Sequence, residues 1–265
     1  MRDLAVLAAA AAMAAGGAQA EPRELRVCAD PNNLPFSNQA GEGFENRIVA
    51  LIAKDLGAQV AYTWWAQRRG YLRNTLNASA CDLVPGVAAG VDMLATTRPY
   101  YRSSYVFVTR TDRRLDIASL DDPRLKRLKI GVQLVGNDQA NTPPAHALAE
   151  RGVIRNVRGY MLYGDYSRPN PPAAIVDAVA RGEVDVALVW GPLAGYFAPR
   201  EPAALTLAPV SPRIDQGRWP MSFAVAMGVR RGDAAFKDEI QAALDRNRPA
   251  IEAILREYGV PEIAP

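Results

Sequence analysis

Residues 26–38, R-V-C-A-D-P-N-N-L-P-F-S-N, constrain what this chain can fold into more than any other stretch. Leu25, Val27 and Ala29 alternate as a short buried strand does. Prolines and Asx residues then leave no room for either strand or helix to continue. In an open parallel α/β sheet the carboxyl edge of such a strand is where ligands bind. The loop offers that edge Asp30, Asn32, Asn33 and Ser37 beside one apolar ring, Phe36. The remainder of the chain reads as the scaffold that sets this loop against a second wall.

The first twenty residues read as a leader rather than as part of the fold. A basic Arg2, an apolar run over residues 4–15 and an A-Q-A ending form a secretory signal with a cut after Ala20, too rich in small residues for a membrane span. An exported, periplasmic product with no membrane span is expected. The remaining length suits two lobes, and 49% apolar residues supply a sizeable core. A formal net charge of +3 gives no reason to expect nucleic acid as a partner. The two cysteines, Cys28 ending one strand and Cys81 opening another, read as a disulfide between neighbouring strands, with two buried thiols as the alternative.

Apolar periodicity then alternates between strand and helix. Phe44, Ile48, Leu51, Ile52 and Leu56 share a helix face closed by Gly57, followed by a β-type run over 60–65 that puts Trp64 and Trp65 on opposite faces. The preceding G-E-G-F-E-N lacks the third glycine of a dinucleotide fingerprint and lies well past the first strand, so it is no nucleotide motif. C-D-L-V-P-G-V at 81–87 is a strand running into a small-residue loop that includes Gly90. From Asp112 the pattern restarts: S-L-D-D at 119–122 as a helix start, a strand over 129–135, and a helix opened by Pro143 or Pro144. Strands near 157–162 and 184–190, a last strand over 222–229 and two amphipathic helices over 233–246 and 249–258 complete the chain. Neither a paired nucleophile and base nor metal-ligand spacing is visible, and His146 sits alone inside a helix, so no enzyme is expected. Asp30, Glu42, Glu45, Asp92 and Asp138 could converge only through the fold. No cofactor or metal site is assigned to them.

The order G-x-G-F, D-L-V-x-G, P-Y-Y, S-L-D-D then K-I-G-V-Q, R-G-E-V-D and V-R-R-G-D resembles the type II periplasmic solute-binding proteins of ABC transporters over the whole chain past the leader. That resemblance implies an α/β fold of two lobes, each with a central mixed or parallel sheet, joined by two crossover strands. Lobe one would span 21–103 and 221–265, and lobe two 104–220. The amino-acid-binding branch carries an arginine where this chain has A-A-G-V-D at 88–92, and an aspartate where it has Trp190. Both anchors for a zwitterion are absent, so an amino-acid receptor is not expected.

A closer resemblance is carried by C-A-D-P-N-N-L-P-F-S-N (28–38), G-F-E-N-R-I (43–48), R-P-Y-Y-R-S-S-Y-V-F-V (98–108) and G-V-Q-L-V-G-N-D-Q-A-N-T-P-P-A-H-A-L (131–148). These motifs are similar to those of the MxaJ/XoxJ group, periplasmic proteins associated with quinoprotein dehydrogenases. The resemblance implies an accessory factor for a PQQ-dependent, lanthanide-dependent methanol or alcohol dehydrogenase of the XoxF/MxaF type. It would act in maturation or activation by binding the enzyme or a segment of it, with the enzyme's cytochrome c as a further candidate partner. The alternative is a transport receptor for a small non-amino-acid ligand. In either case Asp30, Asn33, Phe36, Phe44, Trp65, Gly90, Asn137, Asp138 and Trp190 are expected to line the cleft between lobes.

Overall fold

The computed structural model describes residues 23–135, 141–161 and 166–263. The first strand, β1 (Glu24–Ala29), lies parallel to β4 (Gln59–Trp64), and between them the chain makes the small ribbon β2 (Asn32–Asn33) and β3 (Ser37–Asn38) and the helix α1 (Phe44–Asp55). A short helix α2 (Tyr71–Asn74) leads to β5 (Val84–Ala88), and a bridge between Val27 and Leu83 sets β5's entry beside β1. Next come β6 (Ala95–Thr96) and the ten-residue β7 (Tyr101–Arg110), which carries the chain into the second lobe.

There the order is β8 (Ile130–Leu134), α3 (Pro143–Glu150), β9 (Val157–Met161), α4 (Ala174–Ala180), β10 (Val186–Trp190), α5 (Gly191–Phe197), β11 (Leu205–Pro209) and the hairpin β12 (Ile214–Asp215) with β13 (Trp219–Pro220). The return strand β14 (Ser222–Val229) and the helices α6 (Ala234–Arg246) and α7 (Arg248–Glu257) go back to the first lobe.

One mixed sheet of order β5-β14-β7-β10-β8-β9 runs through both lobes, with β11 added on β7. The two crossing strands are its middle: β14 pairs antiparallel with β7 over Ser222–Ser104 to Val225–Tyr101, and β10 pairs with β7 from Trp190–Tyr105 to Val186–Thr109. The crossovers are therefore hydrogen-bonded to each other rather than being two separate tethers. The fold is that of a type II periplasmic binding protein, α/β with mixed sheets.

Core apolar residues divide accordingly. Phe44, Ile48, Ile52, Leu83, Met227, Ile240 and Leu255 form one cluster, whereas Val106, Val108, Ile130, Leu148, Val176 and Leu188 belong to clusters of the other lobe. Cys28 and Cys81 are joined by a disulfide with a Cα–Cα separation of 5.5 Å, buried between β1 and the entry to β5. Several readings from pattern needed adjustment. S-L-D-D does not open an α-helix. Asp122 caps a single 3₁₀ turn over Pro123–Lys126 through its carboxylate and the Arg124 N–H, because proline follows at once. The helix α5 and strand β11 had no sequence counterpart, since G-P-L-A-G-Y-F and L-T-L-A-P are too short and too rich in Gly and Pro to declare a period.

Candidate functional site

The loop after β1 reaches across to the second lobe. The Asp30 carboxylate is 3% exposed and accepts three hydrogen bonds, from the Asn32 N–H (2.9 Å), the Gln67 N–H (2.7 Å) and the Tyr166 hydroxyl (2.6 Å). Tyr166 lies on the second lobe, as does Arg168, whose carbonyl accepts from Asn32 Nδ2 at 2.8 Å. Leu34 goes further and packs in the second lobe's cluster with Val189 and Phe197. The loop thus clasps the two lobes together.

The same loop orients α1. The Pro35 and Phe36 carbonyls accept from the N–H groups of Phe44 and Glu45 at 2.8 and 3.0 Å, which satisfies two donors that the helix start leaves free. Asn46 Oδ1 accepts from the Gly43 and Asn38 N–H groups, each at 3.1 Å. Gly43 is required here, because a Cβ would lie 2.0 Å from the Phe36 carbonyl oxygen.

Between the lobes is a cavity of about 580 Å³, within the range of small-molecule and peptide side-chain sites. Its lining is mainly apolar and aromatic: Phe36, Tyr71, Tyr101, Tyr105, Trp190 and Phe223 supply six rings. Trp190 sits edge-on between Tyr105 (centroids 5.3 Å) and Phe223 (5.9 Å) and packs against the cores of both lobes. Its backbone N–H donates to Gln133 Oε1 at 2.9 Å, which holds that buried amide at the cavity wall. Asn33 Nδ2 donates to Gln67 Oε1 at 3.2 Å, and both residues line the rim.

One acid enters this apolar space. Glu45, in the first turn of α1, is 8% exposed and lines the cavity. Its carboxyl rests over the bare Cα of Gly86 on β5, where a Cβ would meet Oε1 at 2.0 Å. Among the described residues no lysine or arginine lines the cavity. Burial, reinforced by the neighbouring Asp30 charge, pushes the Glu45 carboxyl up to about 8. Burial likewise raises the Tyr71, Tyr101 and Tyr105 hydroxyls, with Glu45 adding to the shift of the first two, so all three are neutral hydrogen-bonding groups.

The nine residues assigned to the cleft from sequence divide into three groups. Asn33, Phe36 and Trp190 line the cavity, and Asp30 is buried just behind them. Phe44, Trp65 and Gly90 do not line it. Phe44 is fully buried and turned inward against Phe36, Tyr101 and Tyr258, because the helix face that carries Ile48 and Ile52 carries it into the core. Trp65 lies one residue past β4 and is 41% exposed, while Trp64 stacks on Tyr62 at 4.5 Å on the same edge strand. Gly90 is a solvent-exposed turn residue at φ +75°, and Val87, Ala88 and Val91 line the cavity in its stead. Asn137 and Asp138 lie outside the described residues.

Glu45, Gln67, Tyr71, Tyr101, Tyr105, Gln133 and Phe223 were not assigned from sequence. For Glu45 a signal existed: at i, i+3, i+4 and i+7 with Ile48, Val49 and Ile52 it places an acid on a buried helix face. His146 stacks on Trp219 with centroids 4.1 Å apart and 6° between planes. Among the described residues no three His, Cys, Asp or Glu side chains converge as a metal site, and no helix is long and apolar enough to cross a membrane.

No family model matches the chain. Comparison with known proteins finds 38% identity over 264 residues with the protein MoxJ of Methylorubrum extorquens, covering 95% of this chain and 86% of that one. MoxJ of Paracoccus denitrificans is 32% identical over 275 residues, 98% and 96% of the two chains. Among solved structures, the periplasmic binding protein XoxJ from Methylobacterium extorquens AM1 superposes with a TM-score of 0.74 at 36% identity, covering 91% of this chain and 100% of that one. Identity at this level over nearly the full length of each chain fixes common descent and, with it, a periplasmic binding protein rather than an enzyme. A periplasmic location accompanies that membership, whereas the leader and its cut after Ala20 lie outside the described residues. With its two clasped lobes, its aromatic cleft and these relatives, the chain belongs to the family of MxaJ/XoxJ-type periplasmic binding proteins.

Proposed function

We propose that this protein is an accessory factor of a PQQ-dependent, lanthanide-dependent methanol or alcohol dehydrogenase, acting in maturation or activation by holding a segment of the enzyme in its cleft. The observation that carries this reading is the lining of the cleft. Where the amino-acid-binding branch anchors a zwitterion, this chain presents Ala88 and Val91 from the stretch 88–92 and an aromatic ring, Trp190. A free amino acid would bury its carboxylate there with no cation to meet it, an uncompensated cost of several kcal/mol. An apolar, aromatic cavity of about 580 Å³ suits side chains of a partner segment instead. Family membership supports the same reading through the resemblance to dehydrogenase-associated proteins.

A second reading, a transport receptor for a small non-amino-acid solute, is favoured by the placement of the cavity between the lobes and by the Asp30–Tyr166 clasp that bridges them. Surface plasmon resonance of residues 21–265 against the dehydrogenase, in cofactor-free and cofactor-loaded forms, separates the two. Preferential binding to the cofactor-free enzyme supports maturation. Equal binding to both forms supports activation of the finished enzyme, and an absence of binding to either sinks the accessory role and leaves the solute receptor.

A further inference from the structure

We propose that the cavity recognises an organic cation, an ammonium or guanidinium group, which Glu45 receives as a carboxylate while the surrounding rings enclose its apolar portion. This inference shares with the accessory reading only the premise that the cleft is a binding site. The cation could be a free amine or the side chain of a docked segment, since the chemistry that recognises it is the same.

Three observations carry it. First, Glu45 is more than nine-tenths buried, faces the cavity, and makes no side-chain hydrogen bond or ion pair among the described residues, unlike Asp30, whose three partners satisfy it. A buried acid without a partner is a standing cost, which a ligand can relieve. Second, neither the lining nor the two internal stretches 136–140 and 162–165 contain a lysine, arginine or histidine. The Asp30 charge nearby makes the potential there more negative still, so an anion is excluded. Third, six aromatic rings converge on the same space, and aromatic faces attract a desolvated cation. A hard metal ion is the poorer occupant. It needs several converging oxygen charges, and the Asp30 oxygens are already engaged.

The groups facing Glu45 are Asp30 from the loop after β1, Tyr62 on β4, Tyr71 on α2, Tyr100 just before β7 and Tyr101 at its start. All the tyrosines are held neutral by burial, so Glu45 is the group whose proton must leave when a cation arrives. Its carboxyl titrates near 8 in the free protein, so binding below that pH releases a proton.

Isothermal titration calorimetry tests this with benzylammonium and its neutral isostere benzyl alcohol, and with Nα-acetyl-lysine amide for the chain-borne case. The expected result is a preference of at least tenfold for one of the two cations over benzyl alcohol. At pH 7, titration in two buffers of different ionisation enthalpy should show release of about one proton. Affinity should rise by up to about tenfold per pH unit below 8 and level off above it. Glu45→Gln should abolish both the preference and the proton release. Gly86→Ala, which sets a methyl where the carboxyl now rests and leaves the strand intact, should weaken cation binding as well. Binding of neither cation, equal binding of benzyl alcohol, or an unchanged preference in Glu45→Gln would overturn the proposal. None of these outcomes bears on whether the dehydrogenase is bound.

Discussion

Of the three buried carboxylates among the described residues, Asp30, Glu45 and Asp215, the last two have opposite surroundings. Asp215, in the second lobe, is 1% exposed and receives both ends of the Arg151 guanidinium, each at 2.7 Å. Arg151 is held charged by that contact and by Asp121 on its far side. Glu45, in the first lobe, is nearly as buried but meets an apolar cavity and another acid. A fold that can place an arginine squarely on one buried acid has no need to leave the other bare. The paired carboxylate ties α3 to the hairpin β12–β13, whereas the unpaired one destabilises the lobe that carries it and marks the surface that a ligand completes.

Removing the partner of the paired acid should have the largest effect. Arg151→Met strands a buried charge and should cost about 3–5 kcal/mol by chemical denaturation. A loss under about 1 kcal/mol would mean that Asp215 is not the sequestered charge the geometry describes. Next comes the first lobe's own brace. The cysteines are 53 residues apart, so replacing both by serine should cost about 4 kcal/mol from loop entropy, read as a drop in unfolding free energy under non-reducing conditions.

The pH dependence of stability reads the Glu45 carboxyl directly. The Glu45 carboxyl is raised from 4.5 to about 8 on folding, so the folded state binds more protons than the unfolded state within that window. The Glu45 contribution to stability must therefore fall as pH rises from about 4.5 to about 8, by at most about 1.4 kcal/mol per unit, and be flat above. Denaturation curves at pH 5.5, 7 and 8.5 check this, and Glu45→Gln should remove the Glu45 part of the slope and stabilise the protein at pH 8.5. A slope unchanged by that substitution would show that the carboxyl is not held in its neutral form. The smallest effect concerns the clasp. Tyr166→Phe deletes one hydrogen bond to Asp30 and should cost about 1 kcal/mol, a fall in Tm of about 2–4 °C for a chain of this size, which scanning calorimetry resolves.

Much of the architecture was legible in the sequence because it rests on period and punctuation. The strand over 24–29 stops where Pro31 and the Asx residues stop it, and α1, α6 and α7 follow their apolar faces. The site was legible only where a residue's neighbours in sequence are also its neighbours in space. Asn33, Phe36 and Trp190 sit at strand ends that open on the cleft, so an argument from topology reaches them. Phe44 misled because the loop carbonyls of Pro35 and Phe36 fix the start of α1, and the resulting rotation turns Phe44 to the core and its neighbour Glu45 to the cavity. Tyr101, Tyr105 and Phe223 could not be found from pattern, since β7 and β14 alternate along a sheet shared by both lobes and the register that brings them together is a tertiary fact.

If the cleft is the binding face, altering its walls should weaken the partner complex while an exposed site elsewhere should not. Surface plasmon resonance against the proposed dehydrogenase partner should compare residues 21–265 with a Phe36→Ala/Trp190→Ala cleft variant and with a control altered at exposed Ile154, which does not line the cavity. Binding at least tenfold weaker is expected for the cleft variant, and unchanged binding for the control. Undiminished binding by the cleft variant would place the partner on another surface and contradict the central claim.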